Sequence, residues 1–342
     1  MRDDAMTKPA DHPVVKPARV GVLLVNLGTP QAATAPAVRI YLAQFLSDPR
    51  VVEIPKLAWM PILHGIILRT RPAKSAHAYA QVWTEEGSPL AAITAAQARG
   101  LQARLGDGVQ VDWAMRYGQP AIGDRIARMK ADGCERILVA PLYPQYCAAT
   151  TASVMDDLGA ALRGMRWQPG IRTLPPYYDD PLHIDALARD LTRQLEALAF
   201  TPQVLLLSFH GMPQRTLELG DPYHCHCRKT ARLVEQALAS RFPDLRIETA
   251  FQSRFGRAKW LEPSTETVLA QEAAKGTRAL AIAAPGFSAD CVETLEELAI
   301  RGREVFEQAG GQDFSVLTCL NAGETGMEML EGLVRRELSG WI

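Results

Sequence analysis

Apolar positions along the chain fall into two periods. Seven runs of strand length stand out, at 20–27, 109–115, 136–142, 204–209, 246–251, 279–284 and 315–320. Several are apolar at consecutive rather than alternate positions, which suits strands covered on both faces by helices. Patterns of helical period lie between them, at 89–105, 181–198, 228–241, 264–275 and 289–308, and 323–342 reads as a last helix. Strand–helix alternation predicts an α/β fold with parallel sheets. Residues 1–18 are polar and contain proline, and read as a disordered tail.

The pattern repeats. The segment 22–30, ending Asn26-Leu27-Gly28-Thr29-Pro30, is matched by 205–213, ending Phe209-His210-Gly211-Met212-Pro213. Arg116-Tyr117-Gly118 resembles Arg254-Phe255-Gly256, and 136–141 resembles 280–285. Three matches in one order predict two similar α/β domains in tandem, spanning 19–172 and 173–322. From Gly28 to Arg116 is 88 positions and from Gly211 to Arg254 is 43, so the first domain carries extra residues. They include an apolar insertion at about 57–88, and the helix 323–342 is placed to pack back on the first domain. Each repeated motif sits at a strand end, where open parallel sheets bind ligands. Two such edges facing one another form a cleft.

Composition narrows the classes. Lys+Arg number 37 and Asp+Glu 38, a net charge of -1, which argues against a nucleic-acid binder. The greasiest stretch, 57–68, contains Pro61 and His64 and is too short to span a bilayer. The six cysteines include no C-x-x-C pair and the N-terminus has no secretion signal, so they read as reduced thiols of a cytoplasmic protein. There is no P-loop, dinucleotide fingerprint or nucleophile elbow.

Three groups of residues can carry chemistry. His210 ends an apolar strand, where an imidazole can accept a proton, ligate a metal, or be satisfied by local backbone. Glu293, Glu296 and Glu297 share a helix face beyond the strand end Pro285-Gly286, and Glu293 lies nearest the sheet edge. Their bland reading is an acidic, solvated helix start. His224-Cys225-His226-Cys227 invites a metal, but adjacent residues cannot all reach one ion, and a loop leading into the helix at Arg228 is the better reading.

Taken together, Leu207-Ser208-Phe209-His210-Gly211-Met212-Pro213, Phe251-Gln252-Ser253-Arg254-Phe255-Gly256, Gly87-Ser88-Pro89-Leu90, Leu142-Tyr143-Pro144-Gln145-Tyr146 and Ser288-Ala289-Asp290-Cys291-Val292-Glu293-Thr294-Leu295 resemble the ferrochelatase family, from about 20 to 321. The resemblance implies two flavodoxin-like domains around a porphyrin cleft, and insertion of Fe²⁺ into protoporphyrin IX to give protohaem, the terminal step of haem synthesis. It implies His210 and Glu293 as catalytic residues and metal ligands, and Glu297 as part of a proton or metal path. It implies porphyrin contacts at Leu27, Arg71, Ser88, Arg116, Tyr117 and Tyr146. The apolar insertion would form lips of the cleft and a surface for peripheral membrane contact. The chain would be a monomer or weak dimer without nucleic-acid partners. Where many members carry a second histidine this chain has Cys291, and no cysteine follows Cys319, so no [2Fe–2S] cluster and no permanently bound cofactor are expected. A coproporphyrin or cobalt chelatase, a non-catalytic tetrapyrrole carrier and a periplasmic-type metal-binding protein are the alternatives.

Overall fold

A computed structural model describes residues 18–342 apart from 255 and 257. The expected tail and Phe255 of the second repeat match therefore lie outside the described residues. Among the described residues, eight strands form two parallel sheets. The first holds β1 (Arg19–Gly28), β2 (Val109–Tyr117), β3 (Cys134–Pro141) and β4 (Gly170–Thr173), in the order β2-β1-β3-β4. The second holds β5 (Val204–His210), β6 (Arg246–Gln252), β7 (Ala279–Ala283) and β8 (Asp313–Val316), in the order β6-β5-β7-β8. The two orders are the same, as tandem copies of one unit require.

The ladders correct the alignment of the copies. Val22 lies opposite Val111 and Leu138, and its counterpart Leu205 lies opposite Ile247 and Ala281. Met115 thus corresponds to Phe251, and Arg116 to Gln252 rather than Arg254. Equivalent bonds agree: Met115 N–H donates to Pro120 O at 2.7 Å, and Phe251 N–H to Pro263 O at 2.9 Å. The third match is likewise displaced, by one residue. Short apolar strings fit in several registers; hydrogen-bonded partners fit in one. The repeated glycines share a cause. A Cβ on Gly28 would stand 1.9 Å from Tyr117 O, and one on Gly211 2.4 Å from Gln252 O. Each glycine lets its strand end pass against the neighbouring backbone.

Successive side chains of a strand point to opposite faces, and here both faces are buried. Leu23 and Val25 pack with Ile122, Ile126 and Val154 on the outer helices of the first sheet. Val204, Leu206 and Ile282 pack with Leu269, Leu298 and Phe306 outside the second. The alternate residues Val22 and Leu24 join Leu205, Leu207 and Ala281 in one core shared by both lobes. Helices Pro89–Leu105, Pro181–Glu196, Tyr223–Leu238 and Glu324–Glu337 contribute to it. Each fully buried Leu or Val stabilises the fold by about 1.5–3 kcal/mol. The sheets are therefore fixed relative to each other by a common interior.

Several elements differ from expectation. β4 was not anticipated, since its residues are at most half-buried and give no apolar signature. β8 begins and ends earlier than 315–320, because only Phe314 is buried in it. Helix Tyr223–Leu238 starts five residues before Arg228 and takes in His224 to Cys227, so that segment is a helical first turn and not a loop. The last helix is Glu324–Glu337, shorter than 323–342. It lies against the first lobe through Arg104, which bonds Glu324 at 2.5 Å and Glu331 at 3.2 Å. The pattern at 289–308 divides into a π-helical segment, Glu293–Gly302, and an α-helix, Arg303–Gln308. Among the described residues, no helix is long and apolar enough to cross a membrane.

Candidate active site

A cavity of about 510 Å³ opens between the strand ends of the two sheets. His210, the last residue of β5, lines it. Its Nδ1 lies 2.7 Å from Gly211 O. A carbonyl only accepts, so Nδ1 carries a proton, and in the neutral ring the lone pair is then on Nε2. The backbone reading and the functional reading of this histidine thus coexist: one nitrogen is tied locally, and that tie makes the other an acceptor.

Glu293 opens the π-helical segment and lines the same cavity. Gln252 joins the two. It pairs with His210 across β5 and β6, its Nε2 donates to Glu293 O at 3.4 Å, and its Oε1 accepts from Ser208 Oγ at 2.7 Å. Tyr41 and Tyr79, with rings 6.5 Å apart edge to face, line the first-lobe side. Burial pushes the Tyr79 phenol far up, and the charge of Glu293 adds to it; both tyrosines and Glu293 line the one cavity. Neither tyrosine was singled out in the sequence; each sits in a helix whose period gives no sign of a cavity.

Glu297 is held firmly. Its Oε1 accepts from Ser253 N–H at 2.7 Å and its Oε2 from Ser253 Oγ at 2.6 Å. Ser253 adopts a left-handed conformation, φ 64°, which costs a non-glycine residue about 1–2 kcal/mol. Burial raises the pKa of Glu297 above the usual carboxylate range, against the lowering effect of Ser253, His210 and Arg301. The group can therefore hold a proton where an ordinary glutamate has lost it. Below Glu293, Asp290 anchors the loop. Its N–H donates to Asn321 Oδ1 at 2.8 Å, and its carboxylate accepts from Asn321 Nδ2 at 2.6 Å and Thr294 Oγ1 at 2.9 Å. Gln97 of the first lobe donates to Ser288 O and Asn321 O, both at 3.0 Å, and so ties the helix of Glu293 to the opposite sheet. Two buried hydroxyls on the cavity wall, Ser288 Oγ and Tyr143 Oη, have no hydrogen-bond partner among the described residues.

Leu27, Arg71 and Ser88 also line the cavity. Arg116, Tyr117 and Tyr146 are not among the lining residues, and their side chains or backbone are engaged beside it. Tyr117 is fully buried, and its hydroxyl donates to Asp48 Oδ2 at 2.8 Å. Arg116 Nη2 reaches the same oxygen at 2.7 Å, and Ser153 Oγ reaches it at 2.6 Å. These residues clamp the turn after helix Ala35–Leu46, which carries Tyr41 and Phe45 to the cavity wall. The half-buried Tyr146 donates its N–H to His226 Nδ1 at 3.2 Å.

That bond also accounts for part of the His224 to Cys227 segment. His226 stacks on Tyr178 with centroids 3.6 Å apart, His224 stacks on Phe251, Cys227 is buried and Cys225 is exposed. The four side chains diverge. Among the described residues, no three His, Cys, Asp or Glu side chains gather as a ready-made metal site.

Twin parallel sheets with an imidazole and carboxylates at their facing ends define a chelatase-type two-lobed α/β protein. SirB from Bacillus subtilis with Fe³⁺ superimposes with a TM-score of 0.57, over 94% of this chain and 98% of that one. CbiX, described as the terminal enzyme for biosynthesis of siroheme in denitrifying bacteria, gives 0.50 over 92% and 98%. At 13% and 15% identity these likenesses speak for the fold alone. The sequence comparisons go further. The family model described as Ferrochelatase matches residues 19–338. A ferrochelatase of Azoarcus sp. is 51% identical over 97% of this chain and 92% of its own length. One of Agrobacterium fabrum is 48% identical over the whole of both chains. The chain belongs to the ferrochelatase family, and the resemblance read from its motifs holds.

Proposed function

We propose that this protein inserts Fe²⁺ into protoporphyrin IX, the terminal step of haem biosynthesis, with His210 and Glu293 at the reacting centre. The observation that carries the reading is the convergence of positions 210 and 293 on one cavity, with the imidazole tautomer set by Gly211 O.

Metallation breaks two pyrrole N–H bonds, forms bonds from Fe²⁺ to the ring nitrogens and releases two protons. His210 Nε2 accepts the first proton. The Glu293 carboxylate takes the second proton, or ligates the incoming iron while Glu297 takes that proton. Glu297, with its raised proton affinity, receives protons leaving Glu293. A flat porphyrin keeps its lone pairs in the ring plane, so a cavity that favours a bent ring stabilises the transition state more than the ground state. Arg71, at the rim, suits a propionate. Iron is a substrate here, and imidazole with carboxylate discriminates weakly between divalent metals, so Zn²⁺ serves as a second metal in assays.

The lip supplies a further proposal, docking on an anionic bilayer. Leu57, Ile62 and Ile66 are exposed on it, Leu57 at 95%, together with Arg69 and Lys74, and Ile54 and Lys56 are exposed just before it. Apolar side chains beside cations suit a lipid surface.

The test is anaerobic metallation with Fe²⁺, and with Zn²⁺, by wild type, His210→Ala and Glu293→Gln. The rate falls by about 10²–10⁴-fold in His210→Ala, while porphyrin fluorescence still reports binding. Undiminished metallation in His210→Ala overturns the assignment.

A further inference from the structure

Glu293, Glu297 and Arg301 recur at every fourth position of the π-helical segment, and all three line the cavity. The row begins with two carboxylates and ends in a guanidinium. Arg301 Nε lies 3.1 Å from Glu296 Oε1, and its Nη2 lies 3.6 Å from Glu297 Oε2. The side chain of Arg301 is 49% exposed, against 13% for Glu296 and 15% for Glu297. The guanidinium therefore stands between solvent and two nearly dry carboxylates. Both oxygens of Glu297 are also occupied by Ser253. Without Arg301, two adjacent carboxylates at the solvent end would suit a hard or borderline divalent cation. With it, a fixed cation lies against one oxygen of each.

We propose that Arg301 is a metal-excluding positioning residue: its guanidinium closes the outer end of the acidic row, so that divalent metal is not captured at Glu296 and Glu297, away from the ring. The inference rests on the reading of the cavity as a metallation site, but its test does not depend on turnover.

Zn²⁺ is titrated calorimetrically into porphyrin-free wild type, Arg301→Gln, Arg301→Lys and the double variant Arg301→Gln/Glu297→Gln. Removing one positive charge about 4 Å from a divalent ion strengthens its binding by about tenfold or more. Arg301→Gln is expected to bind one additional Zn²⁺ per chain. Arg301→Lys, which keeps the charge, and the double variant, which lacks a ligand, are expected to match wild type in stoichiometry. In metallation assays, Arg301→Gln is expected to show inhibition by excess Zn²⁺, with the porphyrin KM unchanged. The inference is overturned if Arg301→Gln binds no additional Zn²⁺, if Arg301→Lys gains the same site, or if the porphyrin KM shifts as much as the metal response. Loss of metallation in wild type would instead sink the functional reading, and the calorimetric difference would still stand or fall by itself.

Discussion

Asp48 offers the sharpest separation between a structural clamp and a porphyrin contact. Its side chain is 5% exposed, and one of its oxygens accepts from Arg116, Tyr117 and Ser153. Burial alone would raise its pKa, but the hydrogen bonds from Ser153, Arg50 N–H and Tyr117, with the Arg116 charge, outweigh it and hold the carboxyl low. Asp48→Asn keeps the shape and removes the charge, leaving the Arg116 guanidinium, 14% exposed, with Asp157 at 3.9 Å as its nearest remaining anion. Breaking a buried pair in this way costs about 3 kcal/mol. For 342 residues the unfolding entropy is about 0.7 kcal/mol/K, so Tm should fall by about 4 °C. Tyr117→Phe removes a single donor and should lower Tm by about 1–2 °C. The assay is calorimetric unfolding, run beside porphyrin titration by fluorescence quenching. A Tm unchanged to within about 1 °C with weakened porphyrin binding would refute the clamp and restore Arg116 and Tyr117 as direct contacts.

Two more outcomes follow from charge and burial. His183 is buried, and burial lowers its pKa from 6.5 to about 4. The unfolded chain takes up a proton below 6.5 that the folded chain refuses until about 4, so stability falls over that window as pH drops. The loss is about 3 kcal/mol, and His183→Phe should flatten the Tm–pH curve there; an unaltered slope excludes His183 as its source. On the lip, Leu57→Glu places a charge at a residue 95% exposed, so folding should be untouched. Its co-sedimentation with vesicles containing anionic lipid should drop several-fold relative to wild type; equal sedimentation would dismiss the lip as the docking face.

Much of the architecture was readable because it rests on local rules. The runs at 20–27, 204–209 and 279–284 are apolar on both faces, and only a strand between helical layers satisfies that pattern. His210 was legible for the same reason: a polar ring ending such a strand has nowhere to go but the sheet edge. What escaped was whatever depends on partners distant in sequence. β4 has no burial signature, since an edge strand is defined by the neighbour it pairs with. Tyr41 and Tyr79 carry no motif and gain meaning only by lining the cavity that also holds Glu293.

The amino-acid order by itself determined the alternating elements, their duplication and the place of His210 at a strand end, because periodicity and residue type are properties of the chain. Tertiary structure alone decided that Arg116 and Tyr117 converge on Asp48, that the two sheets share one core, and that Arg301 pairs with Glu296 and Glu297. Those are questions of which side chains meet, and only packing and hydrogen-bond geometry answer them.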